Sequence, residues 1–128
     1  MNTLRIESTE ISPKIVYDAN KYHFEIIGES RPENVREFYD PVIEWMDNFI
    51  NEINIEKELN FDFKLEYFNS SSAKYILDIL YKLTEYNAKG LIITINWYYE
   101  DGDDDMLEAG QEMSRMVSFK FNYVIILD

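Results

Sequence analysis

Three consecutive serines stand in the string YFNSSSAKYILDIL, between a segment with the pattern of a β-strand and one with the pattern of an α-helix. A helix start needs one capping side chain, and Asn69 or Ser70 can supply it. Ser71 and Ser72 would then occupy the first turn, where serine is a poor helix former. A phosphate in that turn would meet free backbone N–H groups and the positive end of the helix dipole. The string therefore predicts either a phosphorylation switch that the fold tolerates or serines that only cap.

Motifs for catalysis are missing from the sequence. The chain has no cysteine, one histidine and four glycines, so thiolate nucleophiles, disulfides and cysteine-ligated metals are excluded. It contains no GxSxG, HExxH or phosphate-binding glycine loop. His23 falls on the polar side of an alternating segment and is interpreted as an ordinary surface histidine. We therefore expect no catalytic residue, no metal site and no cofactor.

The acidic segment DGDDDMLEAGQE, residues 101–112, is the one alternative metal site that the sequence raises. Four of its residues fall at positions 1, 3, 5 and 12 of an EF-hand loop: Asp101, Asp103, Asp105 and Glu112. Met106 replaces the glycine that the sharp turn of such a loop needs, and the segment follows a strand. Acidic residues are also expected where a helix begins, since they face the positive end of its dipole. A helix start is the favoured interpretation.

Composition limits the class of partner. The chain has 128 residues, 12 Lys and Arg against 25 Asp and Glu, and a formal net charge of −13. This charge opposes binding to nucleic acid or to an anionic membrane surface, and it favours solubility or a partner with a basic patch. No signal peptide or membrane-length apolar run is recognisable, so we expect a cytoplasmic protein with one domain over residues 1–128.

The elements that must position the serines follow from hydrophobic periodicity. Strands are predicted at residues 3–7, 14–18, 21–28, 60–68, 90–98 and 120–127, and helices at 30–53, 71–86 and 104–117. The order is βββαβαβαβ, an α/β (α+β) fold. The early strands form an antiparallel meander, and the later strand–helix–strand units imply parallel neighbours. The prediction is one mixed, mostly parallel sheet of about six strands packed with three main helices.

Several details of these elements are also predicted. Gly28 should end the third strand, and Ser30 with Glu33 has the spacing of a capping box for the first helix. Pro41 should kink or split that helix near Asp40, because proline removes a helix hydrogen bond.

The aromatic residues leave one question open. Trp45 lies on the apolar stripe of the first helix, so core packing is expected for it. Tyr98 and Tyr99 end a strand and could face either the core or a partner.

Three segments together resemble the SiaC family of bacterial regulatory phosphoproteins: SRPENVREFYDPVIEWMDNFI, LEYFNSSSAKYILDIL and INWYYEDGDDDMLEAGQEMS. They occur in the family's order and cover most of the chain. The strand-to-helix junction also resembles STAS-type anti-sigma-factor antagonists, in which a phosphorylated serine or threonine opens a helix after a central strand. The resemblance implies a single STAS-like regulatory domain.

The resemblance also implies which residues act. The family's phosphate acceptor follows the Asn of this string, so Ser70 inherits the role, with Ser71 and Ser72 as less favoured acceptors. Partner binding is expected to involve Asn69, Ser70, Ser71, Ser72 and Lys74. The implied partners are a dedicated Ser/Thr kinase, a PP2C-type phosphatase and a GGDEF diguanylate cyclase, which the unphosphorylated form binds and activates in cyclic di-GMP and biofilm regulation.

Three alternatives remain open from the sequence: two rival functions, and a merely structural domain whose serines only cap the helix. An anti-sigma-factor antagonist would use the same junction to control transcription. A small enzyme or metal-binding domain would instead use the acidic segment 101–112.

Overall fold

The predicted order of elements is confirmed in the structure, a computed structural model that describes residues 3–53 and 56–127. Residues 1, 2, 54, 55 and 128 of the predicted domain lie outside the described residues. The elements are β1 (Leu4–Ile6), β2 (Lys14–Asp18), β3 (His23–Ser30), α1 (Val35–Glu52), β4 (Glu58–Phe68), α2 (Ser70–Ala88), β5 (Ile92–Glu100), α3 (Asp104–Val117) and β6 (Asn122–Ile126).

The sheet places its strands in chain order, from β1 at one edge to β6 at the other. The pairs β1–β2 and β2–β3 are antiparallel, and β3–β4, β4–β5 and β5–β6 are parallel. Because each parallel crossover steps one strand in the same direction, right-handed connections bring the three helices to one face of the sheet. Contacts of α2 with both α1 and α3 agree with this arrangement. The other face of the sheet carries none of the three helices.

Alternation along the strands decides which side chains meet the helices. On β4, Phe61, Phe63 and Leu65 are buried, whereas Lys64 is half-buried on the opposite face and Glu66 is exposed. The same alternation continues on the neighbouring strands, as expected for a sheet with one helix-covered face. The core therefore lies between the helices and one face of the sheet.

Aromatic packing fixes the helices against the sheet. Trp97 is fully buried, stacks on Phe63 and Phe121, and donates from Nε1 to the Met106 carbonyl at 2.9 Å. Trp45 stacks on Phe49 at 5.1 Å between ring centroids, at the edge of the core, where its sequence pattern placed it.

Two predictions, one about the start of α1 and one about the end of β3, are wrong. Ser30 does not cap α1, because β3 continues to Ser30 and the chain needs four more residues before the helix begins at Val35. Asn34 is the cap, and its side chain accepts from the Glu37 N–H at 3.1 Å. Gly28 does not end β3 either: its φ of +113° allows a shift in pairing register between Gly28 and Glu29, after which the strand resumes.

Pro41 does not split α1, which runs through it as one helix of 18 residues. The missing N–H of Pro41 affects one turn only, and burial of Tyr39, Val42, Met46 and Phe49 holds both halves against the core.

Among the described residues, none of the helices combines the length and the apolar character that crossing a membrane requires.

Candidate functional site

The junction between β4 and α2 is a turn of one residue, Asn69. Its side chain accepts from the Ser72 N–H at 2.9 Å, and its carbonyl accepts from the Ala73 N–H at 2.9 Å. Its own N–H donates to the Ser30 carbonyl at 3.1 Å, which ties the end of β3 to the start of α2. Asn69 is therefore the helix cap, one of the two caps that the sequence allowed, and Ser70 is the first residue of α2.

The three serines do not share one environment. Ser70 and Ser71 are exposed on the first turn of α2, whereas Ser72 is completely buried. The first turn of a helix leaves backbone N–H groups without a helical partner. Asn69 accepts from the N–H of Ser72 only. The other N–H groups of the first turn can still donate to an anion beside the exposed hydroxyl of Ser70.

A buried hydrogen-bond chain fixes the third serine. The Ser30 hydroxyl donates to the Ser72 hydroxyl at 2.8 Å and lies 2.5 Å from the Tyr39 hydroxyl. All three residues are fully buried. Burial raises the pKa of Tyr39 to about 12, although its hydrogen bonds to the two serines act in the opposite direction. This hydrogen-bond chain joins the end of β3, the first half of α1 and the start of α2.

Burial separates the roles of the predicted site residues. A phosphate on Ser72 would place about two negative charges inside the protein. The free-energy cost of desolvating them would force the fold to change around Ser72. The hydroxyls of Ser70 and Ser71 face solvent, and Lys74 is exposed one turn further along α2. The sequence carried a signal for this difference, since Ser72 precedes Ile76, Leu80 and Leu83 on one helical stripe.

The start of α2 differs in charge from the other helix starts. Its first turn contains no acidic residue, whereas α1 has Glu37 and α3 has Asp104 and Asp105 in theirs. Lys74 follows Ser70 by four residues, which places the two side chains on the same face of the helix. In a chain of net charge −13, the positive end of the helix dipole and the Lys74 ammonium both contribute positive potential at this turn.

A shallow groove of about 340 Å³ adjoins this turn, between the end of β4 and the start of α3. Tyr67, Phe68 and Asp105 are among its lining residues, and Tyr67 is 50% exposed. An exposed aromatic ring beside the polar turn gives the surface both an apolar and a polar part. Tyr98 and Tyr99 are both half-buried: Tyr99 packs against the core, whereas the ring of Tyr98 lies 4.8 Å from the Lys64 ammonium.

The acidic segment 101–112 forms a helix start. Asp103 caps α3 by accepting from the Met106 N–H at 3.1 Å, and Asp104 and Asp105 follow in the first turn. Asp103, Asp104 and Asp105 thus have the helix-start role that the sequence favoured. Within the described residues, the side chains of metal-ligating type that converge belong to His23, Glu25 and Asp62, which sequence reasoning did not bring together.

A scan against protein-family models matches residues 6–126 to the SiaC family regulatory phosphoprotein model. An uncharacterised protein of Pseudomonas aeruginosa (strain UCBPP-PA14) is 31% identical over 121 residues, 94% of either chain.

Solved structures show the same fold. Apo-SiaC from Pseudomonas aeruginosa is 29% identical, with a TM-score of 0.85 over 99% of this chain and 100% of that chain. SiaC from the same organism, crystallised as the activator in complex with the diguanylate cyclase SiaD, is 30% identical. Its TM-score is 0.89 over 96% of this chain and 99% of that chain.

Proposed function

The chain belongs to the SiaC family of regulatory phosphoproteins, and we propose that it is a non-enzymatic signalling adaptor whose partner binding is controlled by phosphorylation of Ser70. In its unphosphorylated form it binds and activates a diguanylate cyclase in the cytoplasm. A cognate Ser/Thr kinase adds the phosphate and a PP2C-type phosphatase removes it.

One observation carries the cyclase as partner. The relative with a TM-score of 0.89 was solved in complex with a diguanylate cyclase, as its activator, and nearly the whole of both chains superimposes. A shared fold over this length supports a shared mode of action, but the pairing of this chain with its own cyclase is part of the proposal.

The binding surface that we propose is the exposed part of the α2 start: Asn69, Ser70, Ser71 and Lys74. Ser72 supports this surface from below through its buried bond to Ser30. The cap on Asn69 and the bond from Asn69 to β3 hold the turn rigid, so the surface is formed before the partner arrives.

Phosphate on Ser70 would act on binding and leave the fold intact. The free N–H groups of the first turn and the Lys74 ammonium, four residues along the helix, would both attract it. Lys74 would then be neutralised and no longer available to the partner. The added charge also raises the desolvation cost of the interface, and a loss of about 3 kcal/mol would weaken affinity about 100-fold.

The test uses the purified chain and the GGDEF cyclase of the same organism, with cyclic di-GMP formation as the readout. Wild-type protein and Ser70→Ala should accelerate synthesis, because each presents an uncharged turn. Ser70→Asp should not, although an aspartate carries less charge than phosphate. Asn48→Asp is the matched control, since it adds one negative charge at an exposed position of α1, outside the proposed surface, and should retain most of the activation.

Two outcomes would overturn the proposal. If no form of the protein changes the rate of the cyclase, the partner is wrong. If Ser70→Asp activates as well as wild type, and mass spectrometry of protein incubated with cell lysate and ATP finds phosphate elsewhere, the switch residue is wrong.

A further inference from the structure

The face of the sheet opposite the helices carries a row of polar side chains across β3 to β6. Pairing places Glu25 beside Asp62, Asp62 beside Asn96, and Asn96 beside Asn122. Asn122 donates to Asn96 at 3.1 Å, and Asn96 donates to Asp62 Oδ1 at 2.9 Å. Asp62, inside this row, is a carboxylate that is only 5% exposed, on a face that carries no helix.

His23, the first residue of β3, completes the row. Its Nε2 lies 2.7 Å from Asp62 Oδ2. An ionised carboxylate only accepts hydrogen bonds, so the imidazole Nε2–H donates and Asp62 holds the ring in one orientation. The second nitrogen, Nδ1, lies 3.5 Å from Glu25 Oε1, and in the neutral form of the ring it carries the lone pair that a metal ion can bind.

This arrangement matches a common form of metal site. Metal-binding histidines usually donate their other ring N–H to a carboxylate, which is itself hydrogen-bonded. Two ligand atoms held about 2.1 Å from a tetrahedral zinc ion lie about 3.4 Å apart, close to the separation between Nδ1 and Glu25 Oε1. The ligand atoms offered by His23, Glu25 and Asp62 all lie within 4.8 Å of one another.

We propose that His23 Nδ1 and Glu25 bind a divalent transition-metal ion of the zinc type on the open face of the sheet, with Asp62 orienting the imidazole from behind. Water fills the remaining coordination positions. An imidazole ligand favours zinc and cobalt over magnesium and calcium, which prefer oxygen ligands alone. The site lies at the opposite end of β3 from Ser30 and is independent of the proposed phosphorylation.

Lys64 is the competing cation at this site. Its Nζ lies 3.5 Å from Glu25 Oε2 and 4.8 Å from the ring centroid of Tyr98. It is bound to the second oxygen of Glu25, so Oε1 remains available to a metal. Lys64→Met should therefore tighten metal binding by removing a positive charge beside the ion.

Calorimetry of tag-free, full-length protein with zinc chloride alone tests the site, in a buffer that does not bind metal. We expect one saturable site, and with cobalt chloride a visible absorption band from tetrahedral coordination. His23→Ala and Glu25→Gln should each abolish that site. Asp62→Asn retains a hydrogen-bond acceptor and should weaken zinc binding about 10- to 100-fold.

Glu44→Gln, which removes an exposed carboxylate on α1, is the control and should bind zinc as wild type does. Glu25→Gln keeps the shape of the side chain, so it tests the site even if His23→Ala unfolds. A flat zinc titration of the wild-type protein contradicts the proposal. Saturable binding that survives both His23→Ala and Glu25→Gln contradicts it equally.

Discussion

Ser70 and Ser72 are identical in covalent structure, but the backbone places one in solvent and the other in the core. Helical geometry rotates successive residues by about 100°, so a string of three serines must span different faces of α2. This rotation, rather than any property of serine, separates the residue that could carry a phosphate from the residue that supports it.

Replacing Ser72 by alanine should destabilise the protein, because it leaves the buried Ser30 and Tyr39 hydroxyls with one partner fewer. We expect a loss of about 1–2 kcal/mol in the free energy of unfolding, measured by urea denaturation. Ser71→Ala is the matched control and should change stability by less than about 0.5 kcal/mol, since it removes an exposed hydroxyl. Equal stabilities of the two variants would show that the buried hydrogen bonds of Ser72 contribute nothing to the free energy of unfolding.

Tyr39 should make the fold sensitive to alkali. Its pKa is raised to about 12 in the folded state, so between about pH 10 and 12 the folded chain keeps a proton that the unfolded chain has lost. The contribution of Tyr39 to the free energy of unfolding is therefore fully present below about pH 10. Between about pH 10 and 12 it falls by about 1.4 kcal/mol per pH unit. Burial also raises the pKa values of Tyr17 and Tyr86, which adds to the same trend.

The measurement is urea unfolding of wild type and Tyr39→Phe from pH 8 to 11. The phenylalanine variant lacks this titration, so its deficit in stability relative to wild type should shrink above pH 10. A constant difference across that range would mean that Tyr39 ionises in the folded state as it does in a free peptide.

Ser30 and Ser72 show what the sequence could and could not predict about the site. The apolar stripe of α2 contains the signal that Ser72 faces inward, but the prediction did not use it and placed Ser72 with the partner-binding residues. The spacing of Ser30 and Glu33 suggested a capping box because nothing local distinguishes a strand-terminal serine from a helix cap. The hydroxyl of Ser30 meets Ser72 across 42 positions of sequence, a contact that depends on strand register rather than on either segment.

The contact of α3 with β5 depends on one small residue, Gly110. A β-carbon built at Gly110 would lie 2.5 Å from two ring atoms of Trp97. The ring cannot yield easily, since it is fully buried, stacks on Phe63 and Phe121 and donates to the Met106 carbonyl. At Gly110 the helix can therefore approach Trp97 this closely only because that position lacks a side chain.

Gly110→Ala should lower stability by at least about 1–3 kcal/mol through overpacking. Helix propensity alone predicts the opposite sign, a gain of about 1 kcal/mol for removing a glycine from a helix interior. Thermal unfolding distinguishes the two, with Glu108→Ala as an exposed control on the same helix that should change the midpoint little. A more stable Gly110→Ala variant would mean that α3 and β5 can move apart at no cost.

The elements themselves were largely predictable, because alternation and helical spacing are local properties. The prediction placed β2 and α3 at the bounds that the structure shows. It failed where tertiary contacts override local signals: Gly28 continues β3 through a register shift, and Pro41 stays inside α1 because both halves of that helix are anchored in the core.

The whole molecule has one covered and one open sheet face, and the two kinds of site lie in different parts of it. The α2 start lies at the carboxyl ends of the parallel strands, where ligands of open α/β sheets commonly bind. The His23 cluster lies on the open face. Its members are separated by up to 39 positions in sequence, so only strand register could bring them together. This explains why His23 was expected to be an ordinary surface residue.

Net charge also acts on the whole molecule. With a formal charge of −13, the chain as a whole repels acidic surfaces, and at the α2 start the helix dipole and Lys74 oppose that repulsion. A single phosphate at Ser70 adds little to the total charge but would offset the positive contribution of Lys74 and the helix dipole at this turn. The proposed switch is therefore a change at one place on an otherwise constant surface.

The most direct measurement compares the affinity of the cyclase for the unphosphorylated chain and for the chain phosphorylated at Ser70, with thermal unfolding of both forms as the check on the fold. We predict that phosphorylation weakens binding about 100-fold while the unfolding midpoint shifts by only a few degrees. Equal affinities of the two forms, or loss of binding caused by unfolding of the phosphorylated chain, would contradict a switch that acts on the surface alone.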